Sequence, residues 1–393
     1  SYDVASIIKT LSNHFKFYYY EGPCSIRSLK GLAKLKIDRD NVQPLSLDDI
    51  DINKNFKSLK VTGDPIIDEI IGKRVNAYAK RFIPLLWNGL NYLESIDLRK
   101  KFYGFINFTG ASDAYLGLPI MYFTREKRPV FIIQHGAYGF ALNKITNYSE
   151  FNHEGYFISW GHGIREMYDN LKKGSCNIIP AGSHLIEEIR RKRTHRKKIK
   201  KICYIPGVYR GYTAYFPGGQ PFLDSKLFLL ETDFLLTLKQ YMNKYEITYK
   251  IAPSAKIPSI IFGKNPIIDW LKNNLQCVKI ESKPLMDVID KFDLFIIDWP
   301  TTTLIQTLAS AAELIVFIDN PYYRMTEEAI LLLEKRACVG RNPEDFKEKI
   351  KKVLDNGEII SDVENIEFLK KYGIYLDDRM SLKRMADIII GVN

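Results

Sequence analysis

A disulfide framework is the first thing missing from this sequence. Its five cysteines stand far apart, at positions 24, 176, 203, 277 and 338. An odd count with no CxxC pair excludes a disulfide-stapled scaffold and a zinc knuckle, and suits reduced thiols in a cytoplasmic protein. Also missing is any run of about 18 apolar residues, the length a membrane-spanning helix needs. No signal peptide is evident, and the chain opens on Ser1. The six histidines have no metal-ligand spacing. Neither GxGxxG nor GxxxxGK[ST] occurs, so the dinucleotide and P-loop signatures are lacking.

What is present is enough apolar material for two ordinary domains: 393 residues, 46% of them hydrophobic and 26% charged. The formal net charge of +11 is concentrated in one place. Nine basic residues and no acidic one lie between Arg190 and Lys201, and removing them from 57 leaves 48 basic against 46 acidic residues. A general nucleic-acid footprint is thereby disfavoured. The run itself reads either as a solvated linker between domains or as a peripheral contact with an anionic membrane or a lipid-linked acceptor.

Short apolar strands that stop at small or polar loop residues, interleaved with helices, predict an α/β protein. Strands are expected over 102–108, 129–133, 155–159, 201–205, 247–251, 276–280, 293–297 and 314–318. Helices are expected over 64–83, 222–241, 267–271, 284–289, 304–312, 326–336 and 343–354. The pattern gives two Rossmann-like doubly wound domains facing a cleft. They divide as 1–195, an acceptor-side domain, and 196–370, a nucleotide-donor domain, with a helical C-terminal segment over 371–393.

Ligands of such sheets sit at the carboxyl ends of the strands, and the polar clusters of this sequence fall there. Gln134-His135-Gly136 follows one strand. His135 is the candidate general base, since an imidazole at a strand end accepts a proton near neutral pH, and Gly136 permits close backbone approach. Asp113, in a Gly-Ala-Ser-Asp loop, and Glu150, beyond the His-Gly turn, are further catalytic candidates. In the second half, Gly207, Tyr209, Arg210 and Gly211 form a loop able to cradle a nucleotide phosphate. Lys250 stands at another strand end, and Asp298-Trp299-Pro300 leads into Thr301, Thr302 and Thr303 before a helix, with Thr302 or Thr303 as its expected cap.

Taken together, His135-Gly136, Ser159-Trp160-Gly161 and Asp298-Trp299-Pro300 followed by threonines resemble motifs of bacterial surface-polysaccharide transferases of the GT-B type. The relatives in question are capsule Kdo transferases and CDP-glycerol glycerophosphotransferases. The resemblance covers roughly 100–355. It implies an inverting, metal-independent glycosyltransferase with no tightly bound cofactor. The donor would be a CMP-, CDP- or UDP-linked sugar, Kdo or a related acidic sugar among them. The acceptor would be a surface glycan or lipid-linked glycan at the inner face of the cytoplasmic membrane, with no nucleic-acid partner. By resemblance His135 matches the family's base, and Thr301 and Thr302 match its hydroxyl-bearing phosphate turn. Two departures stand out: Lys250-Ile251-Ala252-Pro253-Ser254 lacks a Pro-His or Pro-Arg step, and Gln306 replaces a common Glu. The alternatives are a CDP-glycerol-type polyol-phosphate transferase, a nucleotide-sugar epimerase, and a non-catalytic carbohydrate- or nucleotide-binding protein.

Overall fold

The computed structural model describes residues 2–15, 18–20, 26–28, 67–70, 72–74, 77, 102–108, 114–136, 139–142, 151, 154–171, 176–195, 197–209, 224–251, 265–319, 324–359 and 361–392. Of the expected site residues, Asp113, Glu150, Arg210 and Gly211 lie outside this set, as does most of the helix expected over 64–83.

Two parallel sheets organise the chain. The first has four strands in sequential order: β1 (Phe105–Asn107), β2 (Val130–Ile133), β3 (Gly155–Ser159) and β4 (Cys176–Pro180). Period-two alternation decides what each face carries. Val130 and Ile132 join a core with Leu118, Phe123 and Ile164, from helices α1 (Ala114–Arg125) and α2 (Gly163–Leu171). Phe131 and Ile133 point the other way, into a core with Ile7 and Leu11 of the helix Tyr2–Leu11 and Met385 and Ile389 of the helix Ser381–Gly391. The first half of the molecule is therefore closed by residues from near both ends of the described chain.

The second sheet holds β5 (Lys201–Ile205), β6 (Glu246–Lys250), β7 (Lys279–Glu281), β8 (Leu294–Ile297), β9 (Glu313–Phe317) and β10 (Cys338–Gly340). Its spatial order is β7-β6-β5-β8-β9-β10, all parallel. Numbered within the sheet this is 3-2-1-4-5-6, the doubly wound Rossmann order, whose direction reverses between β5 and β8. Ile202, Tyr204, Ile247 and Tyr249 face helices Asp224–Lys239, Pro266–Asn274 and Pro343–Asn356. Cys203, Ile205, Phe295 and Ile297 face helices Thr302–Leu308 and Glu327–Glu334. That second core continues without a break into Phe140, Trp160, Ile186 and Ile189 of the first half and into Phe368, Tyr372 and Ile374 of the return segment.

Three local expectations change. Residues 284–289 form two 3-10 turns, Leu285–Asp287 and Ile289–Lys291, in place of an α-helix, because the Asp287 amide closes back on Pro284 and the segment is too short to propagate. The strand expected over 276–280 is confined to Lys279–Glu281. The helix expected over 304–312 starts at Thr302 and stops at Leu308, where Ser310 turns its hydroxyl onto the Thr307 carbonyl.

The return segment seats the last helix on the first sheet through a tight junction at Gly182. Its φ is +91°, and an added Cβ would lie 2.1 Å from Ser381 Oγ and 2.5 Å from the Ile374 carbonyl oxygen. Beside it, the buried Glu187 carboxylate accepts from the Ser381 hydroxyl at 2.5 Å and from its amide. Gly182→Ala combines left-handed strain with a backbone clash, and should lower stability by about 3 kcal/mol. A urea-unfolding midpoint unchanged from the parent protein would contradict this packing.

Candidate active site

The reversal between β5 and β8 leaves a crevice at the carboxyl edge of the second sheet, and two expected site residues meet in it. Gly207 follows β5 and Asp298 follows β8. A Cβ on Gly207 would press on Leu227 at 3.3 Å and lie in ordinary contact with Asp298 Oδ1, at 3.8 Å. Asp298, only 5% exposed, accepts from the Tyr204 hydroxyl through Oδ2 at 2.8 Å. Its Oδ1 and the neighbouring Trp299 Nε1 are buried and make no hydrogen bond with any described residue.

Beneath the crevice lies a second buried carboxylate that sequence reasoning missed. Glu231, in the helix Asp224–Lys239, is fully buried. It accepts from the Tyr209 hydroxyl at 2.5 Å and from the Tyr249 hydroxyl. Tyr249 stacks on Tyr204, with ring centroids 6.0 Å apart and planes 9° from parallel. Asn265 donates to the Tyr249 hydroxyl at 3.0 Å while its carbonyl oxygen caps the next helix at the Ile267 amide, 2.9 Å away. Glu231 lies in a leucine- and phenylalanine-rich helix, where no motif marks it and only the fold brings Tyr209 and Tyr249 to it.

Burial pushes the Asp298 carboxyl up to about 7 against the opposing pull of the Tyr204 hydroxyl and the Gly207 amide dipole. Glu231 is raised well above the carboxylate range, first by burial and then by the Asp298 charge. Two carboxyls in one dry interior cannot both ionise at neutral pH without a cation. The pair therefore retains a proton.

The remaining expected residues divide. Tyr209 is buried and spends its hydroxyl on Glu231, so it anchors the loop after β5 and does not offer a free phenol. Lys250 is buried on the opposite face of the sheet from Tyr249, where it donates to the Ile251 carbonyl at 2.6 Å; burial lowers its pKa. It does not reach out as a phosphate ligand. Thr301 takes the N-cap position expected of Thr302 or Thr303, yet its hydroxyl makes no cap hydrogen bond. Thr301, Thr302 and Thr303, just past β8, are all half-buried.

At the carboxyl edge of the first sheet, His135 stands on a braced turn. The buried Gln134 side chain donates to the Gly136 carbonyl at 2.7 Å and accepts from the Trp160 amide at 2.7 Å, tying the turn to the loop after β3. Gly139 closes the turn at φ +105°, where a Cβ would strike Ile164 at 2.4 Å. His135 keeps an exposed edge, and the surrounding protein lowers its pKa by displacing water. His162 pairs with Glu166 across one helical turn at 3.4 Å. Among the described residues no group of His, Cys, Asp or Glu is placed to hold a metal ion, and no helix is long and apolar enough to cross a membrane.

The two carboxyl edges are joined directly. Ala141–Leu142, just past the His135 turn, pairs antiparallel with Arg324–Met325, past β9, and the Thr326 amide donates to the Phe140 carbonyl at 2.9 Å. Lys371 reinforces the joint by pairing with Glu166 of the first half at 2.6 Å and with Glu328 of the second. The segments just past the His135 turn and just past β9 are thus held together.

No curated protein matches the sequence. Partial likeness extends to a Methanocaldococcus jannaschii UDP-GlcNAc 2-epimerase, with a TM-score of 0.47 and 12% identity over 78% of this chain and 81% of that one. A glycosyltransferase from Rickettsia africae gives 0.46 and 13%, over 79% and 82%. A variant of the wall teichoic acid polymerase TagF gives 0.43 and 11%, over 74% and 72%. At the level of sequence the match is to one family profile, over residues 73–358, and the chain belongs to that family, the LIC12162 family transferases.

Proposed function

We propose that this transferase moves a glycosyl group, with inversion, from a nucleotide-activated donor in the β5/β8 crevice to an acceptor hydroxyl deprotonated by His135. The observation that supports the reading is the ribbon between Ala141–Leu142 and Arg324–Met325, which joins the segment just past the His135 turn to the segment just past β9 of the second sheet. The acceptor oxygen attacks the anomeric carbon, its proton passes to the imidazole, and the bond to the nucleoside phosphate breaks. One displacement of this kind inverts the carbon. A lowered histidine pKa suits the task, because the ring must be neutral to accept the proton. The Gly207 backbone and the Thr301 hydroxyl, which does not cap its helix, are the groups on hand for the departing phosphate. The motif resemblance favours a cytidine or uridine donor, with an acidic sugar such as Kdo the leading candidate.

Thermal unfolding in the presence of CMP, CDP, UDP, GDP and their sugar conjugates tests the donor class. One pyrimidine nucleotide at about 100 times its Kd should raise Tm by several degrees. If none does, the crevice is not a nucleotide site. Product analysis with donor alone separates transfer from epimerisation, since an epimerase converts the nucleotide sugar without an acceptor.

A further inference from the structure

Part of the basic run folds inward. Arg190 and Arg193 lie at the C-terminal end of the helix His184–Lys192 and are mostly buried, whereas Arg191, Lys192, Lys197, Lys198 and Lys200 are exposed. Arg190 spends Nε and Nη2 on Asp377, at 3.3 and 3.1 Å. Arg193 spends Nη2 on Glu364, at 2.6 Å, a carboxylate also paired with His195 at 3.4 Å. Arg336, at the end of the helix Glu327–Glu334 in the second half, is 1% exposed and gives Nη2 to the carbonyls of Ser310 and Ala312, at 3.1 and 2.8 Å.

After these bonds are counted, four buried guanidinium nitrogens have no hydrogen-bond partner among the described residues: Arg190 Nη1, Arg193 Nη1, Arg336 Nε and Arg336 Nη1. Burial lowers the Arg336 guanidinium to about 10; the neighbouring Arg193 and Arg190 push the same way, while Glu313 and Asp362 oppose them. The nearby carboxylates are already engaged: Asp377 with Arg190, Glu364 with Arg193 and His195, Glu313 with the hydroxyl and amide of Ser361, and Asp362 with the Glu364 amide. Buried donors that keep no acceptor are rare in native proteins, and guanidinium edges suit anions.

We propose that Arg190, Arg193 and Arg336 form a small inorganic anion site, for chloride or phosphate, at the junction of the two halves. The solvent-shielded nitrogens admit only a compact ion. Its ligands come from a helix beside the first sheet and a helix end beside the second, and their carboxylate partners lie on the return segment over 361–377. An anion there couples the relative position of the halves to ionic composition.

The test is thermal unfolding of the full chain in sodium chloride, sodium phosphate and sodium gluconate at equal ionic strength. Chloride or phosphate should raise Tm saturably by about 2–4 °C over gluconate, and Arg193→Gln should abolish the difference. Equal Tm values in the three salts, or an anion response retained by Arg193→Gln, would overturn the proposal. A crystal soaked in sodium bromide reads the same question without a variant. Anomalous density among the three guanidiniums supports the site, and a water molecule in that position rejects it.

Discussion

Replacing His135 with alanine is expected to lower kcat by roughly 10²–10⁴-fold, the range spanned by a positioned general base, while nucleotide-induced stabilisation stays near that of the parent protein. The separation follows from the architecture. His135 sits on the first sheet's edge, braced by Gln134 against Gly136 and Trp160, whereas Gly207 and Asp298 follow strands of the second sheet. The imidazole pKa lies below its ordinary value near 6.5. The parent enzyme should therefore show a flat rate at neutral pH and an acid limb below 6.5, where the ring gains its proton and can no longer accept one. The Ala variant should lose that limb along with its activity. A variant retaining full turnover would remove His135 from the base role.

The second large effect concerns stability. An unfolded aspartate ionises near 4, whereas Asp298 in the folded chain ionises at about 7. Between those values the folded state keeps a proton that the unfolded chain has released. The stability linked to this group is complete below pH 4 and is lost as pH rises through 7, a loss of roughly 4 kcal/mol. Asp298→Asn preserves an acceptor for the Tyr204 hydroxyl and removes the charge. It should gain most of that stability at pH 8 and almost none at pH 4, by urea unfolding. Glu231 has the same sign, so neutralising Asp298 also relieves the repulsion that raises Glu231. A stability gain of equal size at both pH values would mean that shape, not charge, governs the site.

Much of this could be anticipated from residue patterns. The strands β2, β3, β5, β8 and β9 announce themselves as apolar runs ending at polar or glycine residues, and their ends mark His135, Gly207 and Asp298. Periodicity says little about what lies under those ends. Glu231 sits in the helix Asp224–Lys239, where leucines and phenylalanine surround it, and its partners Tyr209 and Tyr249 are 22 and 18 residues away in sequence. Lys250 has the address of a ligand, but strand alternation puts it on the face opposite Tyr249. The bridging ribbon is two residues long on each side, too short for any pattern to register. The basic run shows the limit most plainly. Its charge is visible in the sequence, but its division into inward Arg190 and Arg193 and outward lysines depends on tertiary neighbours more than 100 residues away.

The seating of Met385 and Ile389 against Phe131 and Ile133 has a consequence for synthesis. The first sheet is complete once Pro180 has been made, yet one of its faces waits for a helix about 200 residues downstream. At roughly 5–20 residues per second, the part of that face not covered by Ile7 and Leu11 of the early helix stays open on the ribosome for about 10–40 s. The first half of the protein is thus translated early and finished late. A nascent chain stalled before residue 381 would carry a sheet face only half covered, by the helix Tyr2–Leu11, a natural client for a holdase chaperone.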